Sequence, residues 1–116
     1  MCMGIFGGTK STNTKYFERF LTEGEEIEAV YRLVVDEMCF TNKRIIFFDK
    51  NAFSTKKGKV SIPYRSISHF MIEDDGILDR DIEIKLIVHN EEFVLKFSKG
   101  CDFIEIEKLL TFYVCD

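Results

Sequence analysis

The chain has 116 residues and a mass of 13.6 kDa, enough for one hydrophobic core but not for two. Hydrophobic residues make up 46% and charged residues 31%, a balance that excludes a disordered segment and describes a folded domain. A net charge of −4 argues against general nucleic-acid affinity, which favours a basic domain.

Taken in chain order, residues 1–10 are Gly-containing and weakly patterned, and they read as mobile or loosely docked. Ser11, Thr12 and Thr14 can each cap a helix, and Tyr16, Phe17, Phe20 and Leu21 follow at helical spacing. This predicts a short amphipathic helix over 15–22, stopped by Gly24 and laid as a lid on the domain's own core. A boundary at 22/23 then separates a flexible N-terminus with its helix (1–22) from the main domain (23–116).

From Glu25 the period changes to two. Ile27, Ala29, Tyr31, Leu33 and Val35 share one face, with Glu28, Arg32 and Asp36 on the other. A kink near Asp36 precedes a second strand over 38–41. Thr41-Asn42-Lys43-Arg44 is a polar turn with two adjacent cations, leading into Ile45-Ile46-Phe47-Phe48, which is apolar on both faces. Such a strand is either sandwiched inside the domain or faces another subunit. A basic loop over 51–58 follows, then alternation through Val60, Ile62 and Tyr64, with Pro63 suggesting an edge or a bulge.

Residues 67–72 form a further strand that ends in the acidic turn Glu73-Asp74-Asp75-Gly76. Ile82, Ile84, Leu86 and Val88 alternate, as do Phe93, Leu95 and Phe97, with His89-Asn90-Glu91 as the bend between them. Asp102 and Glu105 have capping-box spacing ahead of a helix whose apolar stripe is Phe103, Ile106, Leu109, Leu110 and Tyr113. The pattern predicts a mainly β domain: about seven antiparallel strands in a strongly bent sheet or open barrel, plugged by a C-terminal helix.

Chemistry-bearing motifs are scarce. Cys2, Cys39, Cys101 and Cys115 contain no Cys-x-x-Cys, and His69 and His89 lie far from them, so neither a zinc site nor a disulfide framework is expected. Cys39 and Cys101 are expected in or near the core, and Cys2 and Cys115 as terminal free thiols. Gly4 to Gly8 lacks the Lys-Ser/Thr ending of a phosphate loop. The carboxylates at 73–81 lack the order of a calcium loop. No catalytic residue, metal or cofactor is assigned. No apolar run resembles a secretory signal or a membrane span, and Cys occupies the position where myristoylation needs Gly, so a cytoplasmic location is expected.

The charges, by contrast, are segregated. Residues 40–65 carry Lys43, Arg44, Lys50, Lys56, Lys57, Lys59 and Arg65 against Asp49 alone. Residues 71–92 carry Glu73, Asp74, Asp75, Asp79, Asp81, Glu83, Glu91 and Glu92 against Arg80 and Lys85.

The order of several short pieces resembles the bacterial pleckstrin-homology-like domain family. These are Gly24-Glu25-Glu26; Leu33-Val34-Val35-Asp36; the 41–50 turn and strand; Lys56-Lys57; Ile62-Pro63-Tyr64 with Ser66-Ile67; Leu78-Asp79; and Lys99-Gly100-Cys101-Asp102 before the final helix. The resemblance implies two near-orthogonal antiparallel sheets closed by a C-terminal helix, a bacterial protein without enzymatic activity, and a tendency to form cyclic homo-oligomers. Ser54, where a glycine is common, and Ile77-Leu78-Asp79-Arg80 depart from the pattern and leave the shapes of those loops open.

Two uses of the charges follow. The basic set Lys43, Arg44, Lys50, Lys56, Lys57, Lys59 and Arg65 is a candidate patch for an anionic lipid or phosphorylated ligand. Alternatively it meets the acidic set Glu73, Asp74, Asp75, Asp79 and Asp81 of a second copy head to tail, with apolar surface from Ile45–Phe48, Phe53 or Phe70 supplying affinity. The second is the preferred expectation: a ring-forming assembly or adaptor platform that binds itself and other proteins. It carries one objection, that folding could set the two charge blocks side by side in one subunit.

Overall fold

The computed structural model describes residues 10–11, 14–33, 37–50, 57–73, 82–97 and 103–115. Seven strands of five or more residues, and one of two, form two antiparallel sheets. The first is ordered β1 (Lys10–Ser11), β2 (Ile27–Arg32), β3 (Glu37–Thr41), β4 (Arg44–Lys50) and β5 (Lys57–Pro63). A single 3₁₀ turn, Tyr64–Ser66, carries the chain into the second sheet: β6 (Ile67–Glu73), β7 (Ile82–Val88) and β8 (Glu91–Phe97). A bridge between Leu33 and Phe97 joins the two sheets at one corner. Helix α2 (Phe103–Val114) plugs the body with Ile106 and Leu110, both wholly buried.

The alternations read from sequence are those of the core. Ile84, Leu86, Leu95 and Phe97 from the second sheet meet Tyr31, Met38, Phe40, Ile45 and Phe47 from the first. Strand β4 is sandwiched. Ile45 and Phe47 face this main core, while Ile46 and Phe48 face a smaller one on the opposite side of the sheet with Phe17, Val30 and Cys39. That resolves the choice left by its two apolar faces. Ile45, Ile46 and Phe47 are buried within one chain, and Phe48 is partly buried.

The N-terminal helix is shorter than expected, and it covers a core cluster of the domain itself. Helix α1 spans Thr14–Glu18, and the chain then leaves it through turns in which the Phe20 and Leu21 amides donate to the carbonyls of Phe17 and Glu18. Gly24 does not stop this helix. It sits at φ +81° in a later turn closed by the Glu25 amide donating to the Thr22 carbonyl, a position that favours a residue without Cβ. The helix lies over the outer face of the first sheet, not the main core: the Phe17 ring packs 6.2 Å from Phe48, and Tyr16 packs 5.7 Å from it. With Lys10 and Ser11 paired to Tyr31 and Val30, the described residues before 23 are built into the same body as the rest.

A bulge in the β2–β3 pairing, between Ile27 and Ala29, corrects the one-face reading of β2. It turns Ile27 to the outer cluster with Val30, leaving Ala29 and Tyr31 on the inner face. The β7–β8 hairpin closes through His89-Asn90, with His89 at φ +59°. A non-glycine residue pays for the left-handed conformation there. His89→Gly is therefore expected to raise stability by about 0.5–1 kcal/mol, read as a higher urea midpoint at unchanged slope.

Candidate functional site

The Thr41–Arg44 turn is first a structural latch. Glu25, whose side chain is only 1% exposed, receives Arg44 Nε on Oε2 at 2.8 Å and Nη2 on Oε1 at 3.1 Å. Thr41 Oγ1 donates to Oε2 at 2.7 Å, and the Thr22 amide donates to Oε1 at 3.0 Å. Burial alone would raise the Glu25 pKa. The hydrogen bonds from Arg44, Thr41 and Thr22, with the Arg44 charge, outweigh it and hold the group at about 2. The remaining guanidinium hydrogens donate to the Phe20 carbonyl at 2.6 Å and to Ser61 Oγ at 3.0 Å. Asn42 completes the latch: its Oδ1 accepts from the Glu26 amide at 2.8 Å, and its Nδ2 donates to the Gly24 carbonyl at 3.2 Å.

Beside this latch lies an open groove of about 520 Å³. Thr22, Lys43 and Arg44 line it together with Arg65, Tyr64 and Tyr113. Tyr64 is buried, donates to the Thr41 carbonyl at 2.6 Å and stacks on Tyr113 with ring centroids 4.5 Å apart. Burial pushes the Tyr64 hydroxyl far above its usual range, and neighbouring Tyr113 and Glu28 add to it. Tyr113 donates to the Glu28 carboxylate; burial and that bond raise its hydroxyl to about 12. The groove thus has a neutral aromatic wall and a cationic rim, because Lys43 and Arg65 are both exposed.

Among the described residues, the basic positions are spread along the β4–β5 ladder. Arg44 is committed to Glu25. Lys43 and Arg65 stand at one end of the β4–β5 ladder, while Lys50 pairs with Lys57 at the other. At about 3.3 Å per residue, the seven-residue strands separate these ends by about 20 Å. Lys59 lies between, with its ammonium 3.5 Å from the centre of the Phe20 ring. Lys56 lies outside the described residues.

Of the acidic set, Glu73 ends β6 and pairs with Lys85 at 3.1 Å, a bond that raises the lysine's pKa. Glu83 meets Lys96 at 3.8 Å. Asp74, Asp75, Asp79 and Asp81 lie outside the described residues. Among the described residues, the strands that carry Lys50, Lys57 and Lys59 and those that carry Glu73, Glu83, Glu91 and Glu92 belong to different sheets and share no ladder.

Cys39 is wholly buried, as expected, and burial with the nearby Glu25 charge pushes its thiol up to about 12 against the opposing pull of Arg44. Cys115 is exposed and free. Cys2 and Cys101 lie outside the described residues. His69 is exposed on β6 and His89 is exposed at the hairpin bend.

Sequence reasoning missed Glu25, Tyr64 and Tyr113 as partners in one site. The available signal was a Glu in a Gly-Glu-Glu turn and an Arg in the next turn but one, both short of opposite charge nearby. It also missed the exposed apolar residues. Of the three proposed affinity sources, Ile45, Ile46 and Phe47 are buried with Phe48 partly so, Phe70 packs partly against the core, and Phe53 lies outside the described residues. The large apolar side chains that do reach water include Phe112 and Ile104, 76% and 51% exposed on α2, with Met71 and Val94 on the second sheet.

Two antiparallel sheets joined at a corner and closed by a C-terminal helix define a pleckstrin-homology-like barrel. The bacterial PH domain model matches residues 4–114, and the chain belongs to that family. It is 46% identical to YozO of Bacillus subtilis (strain 168), covering 97% of this chain and 99% of that one. It is 36% identical to YjqA of the same organism over 92% of each; both relatives are described as uncharacterized. A pleckstrin-homology domain protein from Shewanella loihica PV-4 superposes with a TM-score of 0.75 at 28% identity, covering 91% of this chain and 96% of that one. The pleckstrin homology domain from Shewanella amazonensis SB2B gives 0.72 at 29% identity, covering 96% and 95%. Among the described residues no helix is long and apolar enough to cross a membrane.

Proposed function

We propose that this domain is a non-enzymatic, cytoplasmic module that self-associates head to tail into a cyclic homo-oligomer and serves as a platform for other proteins. The observation that carries the reading is the placement of charge. Among the described residues, Lys50, Lys57 and Lys59 lie on strands of the five-stranded sheet and Glu73, Glu83, Glu91 and Glu92 on strands of the three-stranded one, with no ladder between the two sheets. A surface with opposite charges on different faces attracts its own copy in a heterologous contact, which closes into a ring when the rotation allows. Phe112 and Ile104 on the outer face of α2 offer apolar area for affinity.

The competing use, an anionic lipid or phosphorylated ligand held by the whole basic set, is weakened by its division between two ends of a hairpin and by the commitment of Arg44. Light scattering coupled to size-exclusion chromatography tests the proposal. A discrete multimer at low salt that dissociates near 1 M salt, where the screening length falls to about 3 Å, is the expected result. A monomer at every concentration overturns it.

A further inference from the structure

We propose that strand β6 pairs antiparallel with β6 of a second copy of this chain, about a two-fold axis at Met71. The contact is separate from the head-to-tail one and joins two subunits whether or not either belongs to a ring.

The two sheets have four edge strands, β1, β5, β6 and β8. An edge presents unpaired amides and carbonyls, and brevity, charge or proline guards it against pairing with another chain. Strand β1 is two residues long. Strand β5 carries Lys57, Lys59 and a terminal Pro63. Strand β8 carries Glu91, Glu92 and Lys96, and its last residue, Phe97, is bridged to Leu33. By contrast, β6 runs Ile67-Ser68-His69-Phe70-Met71-Ile72 without an Asp, Glu, Lys or Arg, and reaches a carboxylate at Glu73. Among the described residues no strand pairs with its outer edge.

Apolar side chains reach water on both faces of β6. Met71 is 39% exposed on the outer face, and Phe70 and Ile72 pack only partly against the core. The inward residues of the central strand β7, Ile82, Ile84 and Leu86, are buried. An edge strand open in this way gains apolar burial as well as hydrogen bonds when a strand is laid beside it.

The strand itself sets the register. Its start is bulged between Ile67 and His69, and the regular ladder runs from His69 to Glu73. Met71 is the midpoint of that stretch, so a two-fold axis there pairs all five residues and forms about four to six hydrogen bonds between chains. His69 of each copy then stands opposite Glu73 of the other, with the two Met71 side chains between them. Glu73 is bonded to Lys85 at 3.1 Å, and its carboxylate keeps acceptor capacity for an imidazole N–H. Like charges stay apart. The two Glu73 are four residues, about 13 Å, apart along the strands, and the two Lys85, behind Met71 on β7, are three strand spacings, about 14 Å, apart. Both separations exceed the screening length of about 8 Å at physiological ionic strength. The row is self-complementary, as a two-fold contact requires.

Disulfide trapping tests this in 1 M salt, where the head-to-tail contact is expected to fall apart into β6-paired dimers. Across the axis the Cα atoms at position 71 lie about 4.5–5.5 Å apart, within the span of a disulfide. In a Cys2→Ser/Cys101→Ser/Cys115→Ser background, Met71→Cys is expected to form a covalent dimer under mild oxidation at least tenfold faster than Val94→Cys. Val94 is similarly exposed on the same face but lies on the opposite edge strand, about 24 Å from its counterpart. Met71→Lys, which sets two ammonium groups together on the axis, is expected to weaken dimerisation at least tenfold in sedimentation equilibrium. A wild-type chain that stays monomeric in 1 M salt, equal cross-linking at 71 and 94, or dimerisation unaffected by Met71→Lys overturns the pairing.

Discussion

Arg44→Met is expected to lower the unfolding free energy by about 3 kcal/mol at neutral pH, a large part of the total for a domain of this size. The substitution keeps the aliphatic stem but leaves the Glu25 carboxylate, 1% exposed, with no cation. It also removes the donors to the Phe20 carbonyl and Ser61 Oγ, which tie the 19–22 segment and β5 to the turn. Glu25→Leu/Arg44→Met is expected to recover more than half of the loss, because replacing both partners strands no buried charge. Urea unfolding of the four chains of this double-mutant cycle gives the coupling directly.

The same pair sets a pH signature. The Glu25 pKa is about 2 when folded against 4.5 as the ordinary value. The shift corresponds to about 3 kcal/mol. Arg44 keeps 22% of its side chain in water, and screening reduces the contribution to about 2 kcal/mol. A depressed carboxylate pKa stabilises the fold fully above about pH 4.5. As pH falls from there to 2, the unfolded chain binds the proton first and that stability is lost. The gap between wild type and Arg44→Met is therefore expected to narrow between pH 4.5 and 2. A gap of constant size across that window would show that the lost interaction is packing and not the ion pair.

The latch also shows which part of this fold is legible in sequence. Strands β7 and β8 and the stripe of α2 read off directly because their signals are local: Ile82, Ile84 and Leu86 repeat every two residues, and Ile106 and Leu110 sit one helical turn apart. The Glu25–Arg44 pair spans nineteen positions and leaves no periodic trace. In a one-dimensional reading, Arg44 counts with the other cations. Only the tight turn that brings β3 against β4, and the Gly24 turn that folds the preceding segment beside it, take it out of that set. Helix α1 is shorter than its apolar pattern for a similar reason. Phe20 and Leu21 keep helical spacing with Tyr16 and Phe17, but the outer face they cover can be filled by a turn as well as by a helix. The division of the cations between two ends of a hairpin is equally invisible until the β4–β5 register is known.

Phe17→Ala is expected to cost about 3 kcal/mol, a loss a loosely docked lid would not show. The ring is wholly buried in the smaller cluster against Val30, Cys39 and Ile46, with Tyr16, Phe20 and Phe48 around it. Its edge-on contact with Tyr16, at 5.2 Å, adds aromatic packing beyond the area it covers. A five-residue helix has no stability of its own, so α1 persists only through this packing. Removing the ring also leaves Val30 and Ile46 beneath a void that the short helix can fill only in part. Lys15→Ala on the exposed side of the same helix is expected to change stability by less than about 0.5 kcal/mol. If Phe17→Ala matched that control, the cluster would be a surface contact, and the outer face of the five-stranded sheet would be open to a partner. With the expected loss, that face is closed by the chain itself.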